Sequence, residues 1–213
     1  MLKKKTATYI GLAVISLIIV LAVRALLPGI QRYDEEYLRI HNEIVSGFKT
    51  QMNYETLFTT ENNKLQDLYE AMVRDGAEDI HHADKQISVA EELITNSKGI
   101  IHTDRTLVEN QLLQIKECGE LLEKIKKHKE NQADPLVNLH HSLINLLNTY
   151  HQALDEYDEV LSLEQQIYTV MKEEKEIKDL VNIIDEVNQS TNLLSNTIKD
   201  LNAHIKTYNK IQI

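Results

Sequence analysis

A seven-residue repeat over residues 77–132 constrains this chain more than any other feature. A strand would need a period of two, whereas a sustained heptad repeat marks one face of a long helix packed against others along its length. At about 1.5 Å per residue that helix would be roughly 80 Å long, so the rest of the chain must supply its partners. One apolar residue returns at every seventh position: Ile80, Ile87, Ile94, Ile101, Val108, Ile115 and Leu122.

The other positions of the repeat predict how this helix packs. With the apolar repeat as heptad position a, position d is small or polar, whereas position g is often large. We therefore expect the buried stripe to combine a and g, and the thin d edge either to admit a closely approaching helix or to be partly wet. Asp104 interrupts the d row, so a partner helix should end or offer a polar group there. The d residues are Ala83, Ala90, Ser97, Asp104, Gln111 and Cys118, and the large g residues are Leu93, Ile100, Leu107 and Leu121.

Further helices are predicted on both sides. The 213 residues include only six glycines and two prolines, so the elements are few and long. Amphipathic stripes run over residues 30–48, 54–74, 136–171 and 177–208. Asn131–Pro135 is predicted as a turn, with Asp134 as helix cap and Pro135 at the first helical position.

The charged run at residues 172–176 leaves two possibilities, a turn or one continuous helix of more than 70 residues. Antiparallel packing after a turn buries both flanking stripes within one chain, which favours the turn. The predicted fold class is all-α: an N-terminal transmembrane helix followed by an elongated, coiled-coil-like antiparallel bundle of three to four long helices.

The N-terminal segment predicts a membrane anchor. Lysines at positions 3–5 precede residues 6–23, which carry no charge, and the apolar run continues to Leu27. Its length suits an uncleaved span better than a signal peptide, whose nearest cleavage site would contain Arg24. The lysines place the N-terminus in the cytoplasm and the remainder outside. Tyr33 and Tyr37 could then lie at the lipid headgroups or in the bundle core.

The expected organisation is a basic cap and anchor at residues 1–27, a juxtamembrane amphipathic helix at residues 28–53 and an extracytoplasmic helical bundle at residues 54–213.

Nine histidines raise the question of a metal site. His81, His82, His140 and His141 are the only sensible transition-metal ligands, and Glu78 and His81 form the one Glu-x-x-His unit in that group. A di-iron bundle needs a second such unit, and Asn138 stands where its glutamate would be. We therefore expect histidines that are solvated or flank the apolar stripes, with partial burial at most, and no metal and no cofactor.

No other catalytic set stands out, and we expect no enzymatic activity. Cys118, the one cysteine, is expected to serve as a small apolar residue, the alternatives being an exposed reactive thiol or an intermolecular disulfide. The acidic run at Asp155, Glu156, Asp158 and Glu159 is expected to be a solvated face, with weak divalent-cation binding as the alternative. Asn188–Ser190 is formally a glycosylation sequon. A net charge of −10 argues against a nucleic-acid partner.

Several features resemble the YkyA family of cell-wall-binding lipoproteins from low-GC Gram-positive bacteria. They are the run Lys64–Glu70, the acidic helix start Ala77–Ile80, the long helix, a middle helix with Tyr150 and Tyr157, and the end Lys206–Lys210. The likeness spans Tyr54 to Lys210. It implies an extracytoplasmic helical domain at the boundary between membrane and wall, without known catalysis. The chain departs from the family in lacking the lipobox cysteine after its apolar run.

The leading hypothesis is a single-pass membrane protein whose extracytoplasmic bundle acts as a binding or spacer module, contacting wall polymer or a partner protein, with a homo-oligomer possible. One alternative is a cytoplasmic-facing, spectrin-like scaffold or accessory subunit of a division or secretion complex. Another is a metal-binding helical bundle.

Overall fold

The computed structural model describes residues 30–53, 56–75, 80–128, 130–172 and 177–211. Apart from Met52 and Asn53, all of them are helical. A π-helical segment, Thr56–Glu61, lies between the first two α-helices. The α-helices are α1 (Ile30–Gln51), α2 (Asn62–Asp75), α3 (Ile80–His128), α4 (Glu130–Lys172) and α5 (Ile177–Ile211).

The helices form an up-and-down bundle around α3. Helices α1 and α2 follow one another along one side of α3, α4 packs along another, and α5 packs along α4. Hydrogen bonds between helices show their relative directions. Arg105 and Lys98 of α3 reach Asp155 and Ser162 of α4, so the two helices are antiparallel. The Tyr208 hydroxyl group of α5 pairs with His41 of α1 and so links the last helix of the bundle to the first. The predicted all-α antiparallel bundle is confirmed.

Helix α3 buries a and d positions, which corrects the predicted pairing of a and g. The described a residues from Ile87 to Leu122 are at most 3% exposed, and the d residues from Ala90 to Cys118 at most 5%. The large g residues are only partly buried. Small d side chains let α1 and α2 lie close to α3, and the g side chains cover the flank of that contact. Of the two expectations for the d edge, close approach of a helix is the one observed.

Helix α4 begins at Glu130, five residues before Pro135, so the predicted turn at Asn131–Pro135 is wrong. Proline has no N–H, and its ring crowds the carbonyl group four residues earlier. Pro135 is the sixth residue of α4, so the helix loses one bond, the one that an N–H at this position would donate to the carbonyl group of residue 131 in the first turn. Helix α4 ends at Lys172 and α5 begins at Ile177, and the two pack antiparallel. Two separate helices are thus observed, as the predicted turn requires.

The predicted membrane span at residues 6–27, with its basic cap, lies outside the described residues. Within the five described ranges no helix is both long and apolar enough to cross a membrane. Of the two tyrosines considered for the headgroup region, Tyr37 is fully buried and donates a hydrogen bond to the Leu136 carbonyl group at 3.2 Å. Tyr37 therefore belongs to the core. Tyr33 is partly buried, with the Lys124 ammonium group 5.5 Å from its ring centre.

Candidate functional site

A buried carboxylate marks the point where the first helix of the bundle is interrupted. Asp104 is fully buried on α3 and accepts hydrogen bonds from the Asn53 backbone N–H at 2.7 Å and its side-chain amide at 2.9 Å. The Tyr150 hydroxyl group donates to the same carboxylate at 2.5 Å. Helix α1 has just ended at Gln51. The expectation that a partner helix ends or offers a polar group near Asp104 is confirmed on both counts.

Two histidines lie in the core, which corrects the expectation of partial burial at most. His41 is 4% exposed, stacks between Tyr37 and Tyr208, and pairs with the Tyr208 hydroxyl group at 3.0 Å. His140 is 7% exposed and lies against the Tyr37 ring. Burial lowers the pKa of both imidazoles, and it raises the pKa of Tyr208 to about 12. This cluster ties α1, α4 and α5 together at the end of the bundle where α1 begins.

The four proposed metal ligands do not form a described site. His140 is buried and His141 is exposed, with their ring centres 6.0 Å apart. The side chains of His81 and His82 lie outside the described part of the chain. Among the described side chains no group of three or more histidine, cysteine, aspartate or glutamate residues is placed to hold a metal ion.

Cys118 is a buried, small apolar residue, as predicted. It is fully buried at a d position of α3 and faces the Tyr37 carbonyl group at 4.0 Å. Burial raises the pKa of its thiol to about 11. An exposed, reactive thiol at this position is excluded, because the thiolate is the reactive form.

The acidic run on α4 is only partly a solvated face. Asp155 and Asp158 form ion pairs with Arg105 across the contact between α3 and α4. Glu156 is 8% exposed and accepts a hydrogen bond from the Gln152 amide at 2.8 Å. Glu159 is exposed. Asp155 and Asp158 therefore fasten α4 to α3, whereas Glu156 is bonded within α4, and the pattern of charges alone predicts neither.

A cleft that the sequence did not reveal lies between α2, α4 and α5, toward the end of the bundle remote from Ile30. Its volume is about 280 Å³. One carboxylic acid, Glu164 of α4, stands in it, with one oxygen atom, Oε2, buried and without a hydrogen-bond partner among the described residues. Burial raises the pKa of Glu164 to about 7. The lining residues are Leu65, Gln66, Val160, Glu164, Ile167, Tyr168, Ile184, Val187, Asn188, Thr191 and Leu194.

Glu164 escaped prediction because it lies between Leu161 and Tyr168, two residues of the predicted α4 stripe, next to the polar residues Gln165 and Gln166. The cleft beside Glu164 exists because neighbouring helices cover only part of the predicted apolar face of α5. Ile184 and Val187 are partly buried and Thr191 is exposed. A helix pattern predicts which face is apolar, but it does not predict how completely a neighbour fills that face. Asn188, the first residue of the formal sequon, lines this cleft.

A second, more open groove of about 700 Å³ lies between α4 and α5 at the opposite end. Six of its nine lining residues have uncharged amide, hydroxyl or imidazole side chains, most of its exposed surface is nevertheless apolar, and Asp134 is its one carboxylate. His141 of α4 and His204 of α5 both line it, together with amide and hydroxyl side chains. We call this surface the α4–α5 groove; its lining residues are Asp134, Pro135, Asn138, His141, Ser142, Asn145, His204, Thr207 and Ile211.

Comparison with protein families identifies the chain. The model of the YkyA family, described as "Putative cell-wall binding lipoprotein", matches residues 35–212. The chain belongs to the YkyA family. The match begins within α1 and runs beyond the end of α5, so it covers the described bundle except for the first five residues of α1. The resemblance that started at Tyr54 thus extends to α1. No curated protein and no solved structure matches the chain.

Proposed function

We propose that this YkyA-family bundle is an extracytoplasmic binding and spacer module, anchored by a transmembrane helix at residues 6–27, that contacts cell-wall polymer and catalyses no reaction. The family match over residues 35–212 is the observation that carries the proposal. The lysines before the apolar run support an N-terminus in the cytoplasm. Helix α4, with 43 residues, would extend roughly 65 Å, and such an elongated bundle is compatible with a role as a spacer.

The α4–α5 groove is the surface we propose for this contact. The chain carries a net charge of −10, which opposes binding to anionic polymers through charge alone. Six uncharged amide, hydroxyl and imidazole side chains line the groove beside apolar surface, so a contact there avoids this repulsion. Such groups donate and accept the hydrogen bonds that sugar hydroxyl and peptide amide groups require. The groove is also open along the bundle surface, as a polymer without free ends would need.

Cosedimentation with purified sacculi tests the wall contact. The full chain, solubilised in a mild detergent, is mixed with sacculi before and after removal of teichoic acid, and with solubilised membranes in parallel. Binding that survives removal of teichoic acid is the expected result, because the groove offers no cluster of positive charge. Failure to sediment, with one membrane protein recovered specifically, would instead make the chain an accessory subunit.

Cysteine labelling in intact cells tests the proposed topology. Cys118 is buried, so the native chain should react little with a membrane-impermeant maleimide. We expect Glu186→Cys, at an exposed position on α5, to be labelled without permeabilising the cells. Protection of that cysteine until the cells are lysed would place the bundle in the cytoplasm and support the scaffold alternative. Deleting residues 1–27 should release the bundle from the membrane.

A further inference from the structure

The cleft between α2, α4 and α5 has the composition of a site for a small amphipathic molecule. Seven of its eleven lining residues are apolar or aromatic, and Glu164 is the one charged group among them. Helix α2 contributes Leu65 and Gln66, and α5 contributes no ionisable residue. Tyr168, on α4, is the other titratable group. No lysine or arginine therefore faces Glu164 from the described residues that line the cleft.

No positive charge compensates the Glu164 carboxylate among the described residues that line the cleft. A buried carboxylate is stabilised by an opposite charge or by several donated hydrogen bonds. Its Oε2 atom is buried without a hydrogen-bond partner in the described structure, and burial raises the pKa of the group. Structural glutamates in helical bundles are normally paired or turned to solvent. The Glu164 side chain lines space large enough for a bound molecule. Because Oε2 has almost no accessible surface, a molecule in the cleft would contact this atom only after the side chain rotates.

We propose that this cleft binds a small organic cation, an apolar body that carries a primary ammonium group, with Glu164 as the partner of the positive charge. An ammonium group donates three hydrogen bonds and supplies the missing charge. A cavity of about 150 Å³ holds benzene, so the observed 280 Å³ has room for an aromatic ring or short alkyl chain plus the ammonium group. Leu65, Val187 and Leu194 would contact the apolar body.

Three matched probes test this assignment: phenethylamine, 2-phenylethanol and phenylacetate, which share a phenylethyl-type body and differ in the terminal group. Binding to the detergent-solubilised full chain is followed by ligand-observed NMR, with empty micelles as the blank. At pH 8 we expect phenethylamine to bind at least tenfold more tightly than the alcohol, and phenylacetate not to bind. At pH 5.5, where Glu164 is protonated, the preference for the amine should shrink severalfold.

Two pairs of variants separate charge from shape. Glu164→Gln should abolish the preference for the amine, whereas Glu159→Gln, at an exposed position of the same helix, should leave it unchanged. Val187→Phe fills the cleft and should block all binding, whereas Val181→Phe, at a residue 52% exposed on α5, should not. Equal affinity for amine and alcohol at pH 8, or amine binding that survives both Glu164→Gln and Val187→Phe, would overturn the proposal.

This site is independent of the proposed wall contact. The α4–α5 groove lies near the opposite end of the bundle, and none of its lining residues lines the cleft. Glu164→Gln should therefore leave cosedimentation with sacculi unchanged. Absence of amine binding at millimolar concentration would refute the cleft assignment while leaving the wall-binding proposal untouched.

Discussion

At the scale of single residues, Asp104 is the most consequential polar group in the core. It accepts three hydrogen bonds from two elements, and two of them come from Asn53 at the break in the first helix. We expect Asp104→Ala to lower the free energy of unfolding by about 3–5 kcal/mol, because it strands buried donors and opens a cavity. Tyr150→Phe removes one donor and should cost about 1–2 kcal/mol. Urea denaturation measures both, and equal costs would contradict this account.

Two helical glycines provide a matched pair. A methyl group at Gly99 on α3 would meet no atom within 4 Å, whereas one at Gly47 on α1 would lie 2.7 Å from the Gln111 amide nitrogen. That amide donates to the Ile44 carbonyl group at 3.3 Å. Gly99→Ala should stabilise the fold by about 0.5–1 kcal/mol through helix propensity. Gly47→Ala should give no net gain, because Gln111 must shift. A larger gain at Gly47 would show that Gln111 moves freely.

At the scale of elements, the sequence predicts where the helices lie better than it predicts which of their faces pack against one another. The heptad over residues 77–132 correctly predicts α3, and the polar interruption at Asp104 correctly predicts the break beside it. The a and d pairing was missed, because small residues can mark either a wet edge or a close helix contact. His41 and His140 were missed for a related reason. A helix with neighbours on several sides buries more than its apolar stripe.

Two buried histidines and one glutamate make the free energy of unfolding depend on pH in opposite directions. Burial lowers the pKa of His41 and His140 below the ordinary value near 6.5, so their neutral forms stabilise the fold and that contribution is lost as the pH falls below about 6.5. Glu164 acts in the opposite direction. Its pKa rises from 4.5 to about 7, so its contribution is present below pH 4.5 and is lost as the pH rises toward 7.

Substitution of Glu164 isolates its share of this pH dependence. At pH 8 we expect Glu164→Gln to raise the free energy of unfolding by about 2 kcal/mol, since it removes a buried, unpaired charge. At pH 4 the difference should nearly vanish, because the wild-type side chain is then neutral. Glu159→Gln is the control, and both variants are compared with the wild type by urea denaturation at each pH. A stabilisation that does not change with pH would argue against burial of the charge.

At the scale of the whole molecule, the bundle separates its features along its length. The histidine and tyrosine cluster and the α4–α5 groove lie toward the end where α1 begins, whereas the Glu164 cleft lies toward the other. The groove could not be predicted from the sequence, because its polar residues look like ordinary solvated positions on two separate helices. Only the register between α4 and α5 places His141 and His204 in the lining of one groove. The family match then gives this surface a proposed partner, the cell wall.

The most direct test of wall contact is sacculus cosedimentation with variants of the groove. Asn138→Ala, Asn145→Ala and His204→Ala are combined, since the first two residues are exposed and the third partly exposed, which should leave the fold intact. The control is Asn110→Ala, at an exposed position of α3 that faces a different groove. We predict at least a tenfold loss of binding for the combined variant and none for the control. Unchanged binding of the combined variant would contradict the assignment of wall contact to this groove.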